Sequence, residues 1–485
     1  MRPTVRLLSD ELIERMVAEA TSVLCTLGVE IHNPEVLALL GDHGAKIDLA
    51  RRHATLSEPL VRKAIDLAPR SFKLFDVLGN PTHDLRDWAV YFTPGSAALY
   101  VLDYSTKRPR KATTRDYVEH AKVVSQLGHI AAQSTAIIAQ DVPTPISDSY
   151  RLLLSLLYCE KPVVTGAFSA ESFEVMKDLQ VMVRGSEQAL RDKPLTIFSC
   201  CPTSPLRWSR TTSQNLIDCA RCGIPVEFIA MPLSGFMAPV TLVGTLIQHT
   251  AETLSGVVIS QIAAPGAPIL YGGSPAVFDV RYETPPMGAI ETAMIDCAYN
   301  EIGKHLGLPT QAYLSMSDAK QVDAQAGLES GMGAVLGALA GINSISGPGM
   351  IDFESCQSLE KLVLDNEMCG MVLRLVRGIE PKEDFPAIGI LQELLTERHL
   401  LIADHTRRYL KEEILFPGPV IDRANRTRWE QEGAVSLEER AHRQVEKLLA
   451  TYPPSRLATE TQRDLVGRME REARRYGQDR LPARE

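Results

Sequence analysis

Residues 269–286 read ILYGGSPAVFDVRYETPP, a unit whose pattern recurs along the chain. It begins as a short apolar strand, stops at Gly272 and Gly273, and enters a loop that mixes serine, proline, aromatic and acidic residues. Between about residue 90 and residue 376 the same succession of apolar run, polar loop and helical pattern occurs eight times. Apolar strands that alternate with helices predict a parallel sheet covered by helices.

The eight predicted strands are AALYVLD, TAIIAQ, PVVTGAF, LTIFSC, PVEFIAM, PILYGG, QAYLSM and INSISG. The predicted helices begin near residues 114, 146, 170, 210, 240, 287, 324 and 356. Eight such units predict an α/β protein with a closed (β/α)8 TIM barrel, whose loops gather at one face and bind ligands there. A doubly wound open sheet is the alternative. The segment containing AALYVLD can equally be a hairpin.

Three regions follow from this pattern: a helical N-terminal layer at 1–89, the (β/α)8 barrel at 90–376 and a helical C-terminal extension at 377–485. The stretch SDELIERMVAEATSVLCTLG predicts an amphipathic first helix, capped by Ser9 or Asp10 and ended by Gly28. Residues 455–485 are rich in charge, which predicts either a solvated helix or an arm that contacts a partner.

Charge and cysteine content narrow the class of protein. A net charge of −9 gives no electrostatic support for nucleic-acid binding. Nine cysteines without disulfide spacing, and no visible secretory leader, predict a reducing cytoplasmic location. No apolar run is long enough to span a bilayer, so no membrane association is expected.

Short motifs carry little chemistry. CARC at 219–222 lacks the second ligand pair that zinc needs, so no metal site is expected. A reactive thiol within CCP at 200–202 is less favoured than a buried free cysteine. GMGAVLGALAG at 331–341 is one residue too long for a dinucleotide fingerprint. Its glycines at 333, 337 and 341 recur every four residues, which favours close helix packing.

Aromatic and acidic side chains concentrate in the eight predicted loops. A quaternary ammonium ion has no N–H to donate, and aromatic faces with nearby negative charge hold it well. A carboxylate pair for glycoside hydrolysis is the alternative, although three tryptophans are few for a sugar site. The aromatic candidates are Tyr100, Phe168, Phe236, Tyr271, Phe278, Tyr282, Tyr313 and Phe353. The acidic candidates are Asp141, Asp279, Glu283, Asp318, Asp323, Asp352 and Glu354.

Nearly the whole chain resembles the trimethylamine methyltransferase family. The resemblance rests on GGSPAVFD, ETAMIDCAYNEIGKHLGLP, SMSDAKQVDAQAGLESGMGAVLGALAGINSISGPGMID and SLEKLVLDNEMCGMVLRLVRGIE, with further matching stretches near both ends. The resemblance implies a (β/α)8 barrel that moves a methyl group from a methylated amine to the cobalt of a corrinoid protein. Trimethylamine enzymes of the family carry pyrrolysine, expected here near residues 329–333. This sequence has only ordinary residues from 311 to 352, as in members that use glycine betaine and similar quaternary amines.

The resemblance and the loop residues together give the site hypothesis. We predict that the substrate contacts Tyr100, Tyr271, Phe278, Tyr313, Asp352 and Phe353. A second group comprises Asp279, Glu283 and Asp318 as further acids, with His249 and Gln325 as partners for a betaine carboxylate. Arg207, Gln248 and Arg281 are further candidates for that carboxylate.

The expected partners are a quaternary amine and a cognate corrinoid protein. The corrinoid signature D-x-H-x-x-G is missing, so the cobalamin is expected to come with the partner and not to be bound by this chain alone. Self-association into a homo-oligomer is left open. Two other functions also remain: a carboxylate-pair TIM-barrel hydrolase, and a non-catalytic betaine-binding or assembly protein.

Overall fold

The computed structural model describes residues 1–484. Eight short parallel strands form one sheet in the order first, eighth, seventh, sixth, fifth, fourth, third, second. The amide of Ala131, just before the second strand, donates to the carbonyl oxygen of Phe92 in the first strand at 2.8 Å. The edge strands therefore meet and close the predicted (β/α)8 barrel. The barrel strands are Tyr91–Thr93, Gln133–Ser134, Val163–Thr165, Thr196–Cys200, Val226–Phe228, Ile269–Gly273, Thr310–Tyr313 and Ser344–Ser346.

A helix follows every strand and covers the outside of the barrel. Each helix begins within three residues of its predicted start, so the alternation in the sequence is confirmed. The barrel helices are Thr114–Gln126, Ser147–Tyr158, Ala170–Arg184, Arg210–Cys222, Leu242–Ala263, Ile290–His305, Ala324–Ala340 and Leu359–Val376. A short helix, Glu187–Asp192, comes between the third barrel helix and the fourth strand.

The first strand is a correction to the sequence prediction. The barrel strand is Tyr91–Thr93, whereas the predicted AALYVLD contributes Tyr100–Asp103 to a hairpin with Arg108–Lys111. A strand of three residues that ends at Pro94 is too short to show a periodic pattern. The hairpin has longer strands and a fully exposed outer strand, so it produced the stronger signal.

The N-terminal region is mixed, not purely helical as predicted. Its first helix, Asp10–Thr26, starts where the Ser9 hydroxyl accepts the amide of Leu12. Its other helices are Pro34–Asp42 and Glu58–Leu67. Strands Val29–Ile31, Lys46–Asp48 and His53–Thr55 form a small sheet with Arg207–Trp208, and Phe72–Phe75 pairs with Pro81–Leu85.

The second of these sheets closes the bottom of the barrel. Leu74 and Leu85 of the hairpin form a buried cluster with Val164, Ile197 and Leu270, which belong to three barrel strands. This apolar plug seals the end where the strands begin. Ligands can therefore reach the interior only from the opposite end, which we call the mouth.

The C-terminal region returns to the barrel after an excursion. Its helices are Ile388–Glu397, Asp404–Glu413, Arg426–Gln431, Leu437–Ala450 and Thr459–Arg475. The last two pack against barrel helices, and Leu465, Met469 and Ala473 of the final helix are buried. Among residues 1–484, no helix combines the length and the hydropathy needed to cross a membrane.

Close packing explains the glycine series in the seventh barrel helix. A Cβ added at Gly333 would lie 1.7 Å from the carbonyl oxygen of Leu314, so this helix rests directly on the strand end beneath it. We therefore expect Gly333→Ala to lower the free energy of unfolding by about 3 kcal/mol, at the upper end for overpacked sites. The measurement is chemical denaturation.

Gly331→Ala is the matched control in the same helix. Its added Cβ would meet only the sulfur of Met368 at 3.9 Å, an ordinary contact. Replacing glycine by alanine in a helix should then leave stability equal or raise it by up to about 1 kcal/mol. Equal unfolding midpoints for the two variants would contradict the packing argument.

Candidate active site

The interior of the barrel changes from apolar to polar toward the mouth. Successive residues of a strand face opposite sides of a sheet, so residues two apart share a side. Ile197 lies in the bottom plug, and Ser199 therefore also faces the interior. Ser199 is in register with Glu227 of the fifth strand, and its hydroxyl donates to Glu227 Oε1 at 2.7 Å. Gln311 and Tyr313 of the seventh strand share the inward parity.

Glu227 is a carboxylate inside the barrel. Its Oε2 is buried and makes no hydrogen bond with any described residue. Burial raises the pKa of Glu227 to about 7, against a smaller opposing effect of the Ser199 hydrogen bond. The side chain therefore changes charge near neutral pH and has no cationic partner among residues 1–484.

Glu354 approaches from the loop after the eighth strand. Asp352, Phe353 and Glu354 have φ of 54°, 54° and 65°, a left-handed turn of three non-glycine residues. Such a backbone is strained and persists where the surrounding structure enforces it, typically at functional sites. Here the amide of Asp352 donates to the carbonyl oxygen of Ala319 at 3.0 Å.

The Glu354 carboxylate resembles that of Glu227. Its Oε1 is buried and has no hydrogen-bond partner among residues 1–484. Burial raises the pKa of Glu354 to about 8, and the nearby Asp318 carboxylate adds to this effect. Glu354 is thus a second acid near the mouth with a buried oxygen that no group of residues 1–484 hydrogen-bonds.

Tyr313 links the two acids. Burial raises its pKa first, and the charges of Glu227 and Glu354 raise it further, so both carboxylates lie near this phenol. The same two acids act on Cys201, where burial is the main cause of a pKa of about 12. We call Glu227, Tyr313, Glu354 and Cys201 the cup. An apolar cluster surrounds it: Ala98, Ile229, Ala276, Met287, Tyr313, Met316 and Met350, with Cys201 and Leu233 packed alongside.

Asp318 ties together the loops after the sixth and seventh strands. Its carboxylate accepts the amides of Met287 at 2.9 Å and Gly288 at 2.8 Å. Burial raises the pKa of Asp318 to about 6, although these two hydrogen bonds oppose the shift. Glu329 accepts the amide of Asp318 at 2.8 Å and so braces the same corner. Asp318 is thus occupied in shaping the wall of the cup.

Lys320 lies at the edge of the cup beside two predicted residues. Its Nζ is 3.9 Å from the centroid of the Phe353 ring and 3.5 Å from Asp352 Oδ1. The Lys320 side chain is 58% exposed, and its Nζ also donates to the carbonyl oxygen of Asp318 at 2.7 Å. An anionic group of a ligand can reach the exposed part of this side chain.

Tyr271 and His249 lie behind the barrel wall, away from the cup. The Tyr271 hydroxyl donates to Thr250 Oγ1 at 3.0 Å, and the His249 ring stacks on Tyr299 at 4.2 Å. Burial lowers the pKa of His249 to about 3. Neither residue can line the mouth, because the strand parity turns Gly272 inward and Tyr271 toward the helices. This corrects the sequence prediction for both.

The remaining predicted residues lie outside the barrel interior, in the hairpin, the loop after the sixth strand and the seventh barrel helix. Tyr100 belongs to the hairpin after the first strand, and Phe278 stacks on Phe236 with ring centroids 4.7 Å apart. Asp279 is paired with Arg281 at 2.6 Å. Glu283 is exposed. Gln325 donates to Glu329 Oε1 at 2.8 Å, so its amide is already used.

Sequence reasoning missed Glu227. It considered Cys201 only as part of CCP at 200–202, and it noted Glu354 only as one of seven loop acids. One signal was legible: Glu227 is the single charged residue in the apolar run PVEFIAM. Burying a charged side chain in a strand costs free energy unless the charge is paired. An unpaired charge in such a strand therefore indicates a functional residue.

Burial lowers the reactivity of three cysteine thiols. Burial raises the pKa of Cys200, Cys201 and Cys219, and a thiol that stays protonated is a weak nucleophile. In the part of the chain that the structure describes, no three His, Cys, Asp or Glu side chains gather in a metal-binding group.

Comparison with known proteins supports the resemblance seen in the sequence. The profile of the Trimethylamine methyltransferase (MTTB) family matches residues 1–477. The chain belongs to the trimethylamine methyltransferase family. It is 29% identical to a trimethylamine methyltransferase of Desulfitobacterium hafniense over 97% of this chain and 94% of that protein.

Two further relatives and one solved structure are also similar to this chain. A trimethylamine methyltransferase of Methanosarcina barkeri is 32% identical over 89% of this chain and 88% of its own length. A glycine betaine methyltransferase of D. hafniense is 26% identical over 98% and 99%. The monomethylamine methyltransferase structure of M. barkeri covers 91% of this chain and 88% of its own, at 12% identity and a TM-score of 0.49. The family match over residues 1–477 and the similar curated proteins make this protein a methyltransferase of the family.

Proposed function

We propose that this methyltransferase moves a methyl group from a quaternary amine, such as glycine betaine, to the cobalt of a separate corrinoid protein. The observation that carries the proposal is the cup, where Glu227 and Glu354 each keep a buried carboxylate oxygen without a hydrogen bond to any described residue. A quaternary ammonium ion offers charge without N–H groups. It therefore suits acids that meet no hydrogen-bond donor at those atoms.

Electrostatics favours a cation in this cup. Two buried carboxylates are expensive to ionise alone, which is why their pKa values rise to about 7 and about 8. A bound cation would offset that cost, and the Tyr313 ring adds an aromatic face, worth about 2 kcal/mol when desolvated. Methionine and alanine side chains around the cup supply the apolar contact that N-methyl groups need.

Methyl transfer from such a substrate asks little acid–base chemistry of the protein. Reduced cobalt in the partner supplies the nucleophile. The C–N bond breaks with its electron pair left on nitrogen, and a neutral tertiary amine departs without a proton. The chain's own residues bind the ammonium group, point one methyl outward and exclude water. The position expected for pyrrolysine falls near Glu329, which here braces Asp318 with a carboxylate.

The rim around the cup suits a docking partner. The loops after the first, third, fifth and sixth strands expose large apolar side chains, and monomeric proteins rarely expose such clusters without a binding role. A partner seated there would bring its cofactor over the cup and cover it. The exposed side chains are Leu99, Tyr100, Phe168, Met231, Phe236, Met237, Val240, Val280 and Tyr282.

A betaine also needs a partner for its carboxylate, and we assign that role to Lys320. Most of the earlier candidates are otherwise engaged: His249 is buried, and the Arg281 and Gln325 side chains are paired. We expect Lys320→Met to weaken glycine betaine binding about tenfold, as for loss of one partly exposed charge contact. Choline, which has a hydroxymethyl group in place of the carboxylate, should bind equally to both proteins.

Isothermal titration calorimetry measures the affinities of the wild-type protein and of Lys320→Met for glycine betaine and for choline. Lys304→Met is the control, because Lys304 lies at the far end of the sixth barrel helix and bonds to Asn343. An equal loss of glycine betaine and choline affinity in Lys320→Met would remove Lys320 from carboxylate recognition.

The hydrolase alternative is less well supported. A glycosidase needs one ionised carboxylate and one protonated acid, so its environment drives the two pKa values apart. The cup raises both, to about 7 and about 8. The pKa values of Glu227 and Glu354 are thus shifted in the same direction, as expected for two carboxylates that bind one cation.

The deciding experiment is a methyl-transfer assay. Purified protein is mixed with cob(I)alamin and a panel of trimethylamine, tetramethylammonium, choline, glycine betaine, proline betaine and carnitine. Methylcobalamin is followed by visible absorbance, and we expect it with at least one quaternary amine. Binding of a quaternary amine without methylcobalamin would favour a non-catalytic binding protein. Methylcobalamin from trimethylamine alone would contradict the substrate class.

A further inference from the structure

Residues 377–416 form an arm that leaves the barrel after the eighth barrel helix. The arm contains the helices Ile388–Glu397 and Asp404–Glu413, and neither buries a single side chain. Helices on a globular protein normally bury one apolar stripe. Helices of ten residues are marginal when alone, so tertiary contacts usually stabilise them.

Polar contacts fix the base of the arm to the barrel. Arg374 of the eighth barrel helix donates to the Glu413 carbonyl oxygen at 3.0 Å and its carboxylate at 3.1 Å. Arg377 donates to the carbonyl oxygen of Glu412 at 3.1 Å. These contacts hold the arm in position while its apolar side chains stay outside.

The arm presents an apolar face to solvent. Ile388, Leu391 and Leu395 follow one another at spacings of three and four, which places them on one side of the helix. Their exposed fractions are 67%, 52% and 67%. Other exposed apolar side chains of the arm are Ile379, Phe385, Leu401, Ile402, Leu410, Ile414 and Phe416.

The exposed area is that of an interface. A buried aliphatic or phenyl side chain removes on the order of 100 Å² from water, so the arm offers roughly 600 Å² of apolar surface. A standard interface uses about 800 Å² per partner, including its polar rim. The arm therefore carries most of the apolar area that one stable contact needs.

The position of the arm shows which partner fits. Barrel helices run from the mouth toward the bottom, and the eighth has 18 residues, a length of about 27 Å. The arm starts at its far end, where a Cβ on Gly378 would touch the carbonyl oxygen of Met1. The base of the arm therefore lies at the end of the barrel away from the mouth, where a corrinoid protein would sit.

Charge also permits a second copy. Residues 377–416 contain six basic and eight acidic side chains, so two arms do not repel each other strongly. We propose that the arm pairs with the arm of a second copy of this chain, through the face formed by Ile388, Leu391 and Leu395. A two-fold pairing of this kind buries the same patch on both copies and leaves both mouths free.

Light scattering coupled to size-exclusion chromatography tests the pairing. The wild-type protein should have at least twice the 53.4 kDa mass of the chain at micromolar concentration. Leu391→Glu/Leu395→Glu should weaken association at least a hundredfold and give monomers. Glu393→Lys/Glu397→Lys, on the opposite side of the same helix, should keep the wild-type mass.

Circular dichroism and thermal unfolding show whether the Leu391→Glu/Leu395→Glu variant remains folded. A monomeric wild-type protein would overturn the pairing, as would a folded variant with unchanged mass. If the substitutions abolished binding of the corrinoid protein to a monomeric wild-type chain, the arm would belong to that partner instead. None of these results depends on the substrate, so the proposed methyl transfer can fail separately.

Discussion

Replacing Glu354 by glutamine should lower methyl transfer to cob(I)alamin by a factor of about a hundred or more. Glutamine keeps the shape of the side chain and removes the charge that we assign to ammonium binding. Breaking a buried ion pair by removing one partner costs about 3–5 kcal/mol, which corresponds to a factor of at least ~10². Glu227→Gln should have a similar effect, because its Oε2 is equally buried and unpartnered within residues 1–484.

The Glu354 experiment has a control on the same rim. Glu283 is an exposed loop acid, so Glu283→Gln should change kcat/KM by less than about twofold, as for a screened surface charge. The unliganded Glu354→Gln protein should be as stable as wild type at pH 7 or more stable, since a neutral amide costs less to bury. A fully active Glu354→Gln protein would exclude Glu354 from the cation site.

The affinity for a quaternary amine should rise with pH by about a hundredfold or more between pH 6 and pH 9, because each ionisation changes binding up to tenfold per pH unit. The carboxyls of Glu227 and Glu354 titrate at about 7 and about 8, so both are mainly neutral at pH 6. A neutral carboxyl attracts a cation weakly. Calorimetric titration at several pH values measures the slope, and buffers with different ionisation enthalpies report the released protons.

The same two carboxyls should make the stability of the unliganded protein fall with rising pH, whereas the affinity for the ligand rises. Their folded pKa values lie above the ordinary value of 4.5, so the folded protein binds more protons than the unfolded chain. Their contribution to stability is present below about pH 4.5 and is lost as pH rises through about 7 and 8. The unliganded Tm should therefore fall across this window while the Tm increase caused by ligand grows. A pH-independent affinity, with Tm unaffected by Glu→Gln changes, would contradict the cup.

The fold could be predicted from the sequence because each strand and helix produces a pattern among neighbouring residues. The run PILYGG and the helix after it carry the barrel pattern within about 30 residues, and eight repeats reinforce one another. The prediction of the first strand was wrong because Tyr91–Thr93, the three residues before Pro94, are too few to show a pattern. The glycines at 333, 337 and 341 correctly indicated close packing, because their spacing follows the helix period.

The candidate site was only partly legible. Tyr313, Asp352 and Phe353 lie at or beside the cup, whereas Tyr271 and His249 do not. A strand has two faces, and a change of one residue in the parity moves a side chain from the interior to the helix layer. The parity of the sixth strand depends on its register with the seventh, which no local pattern reports.

The barrel class, the order of its helices and the membership of the trimethylamine methyltransferase family could all be predicted from the sequence. Periodicity and long matching stretches are properties of neighbouring residues. The folded chain alone shows that Glu227, from mid-barrel, and Glu354, from a left-handed turn some 130 residues later, both lie near Tyr313 and Cys201. It also shows that the arm at 377–416 stays uncovered. The environment of the two acids and the exposure of the arm both depend on which distant residues exclude water from each other. Such burial exists only in the folded chain.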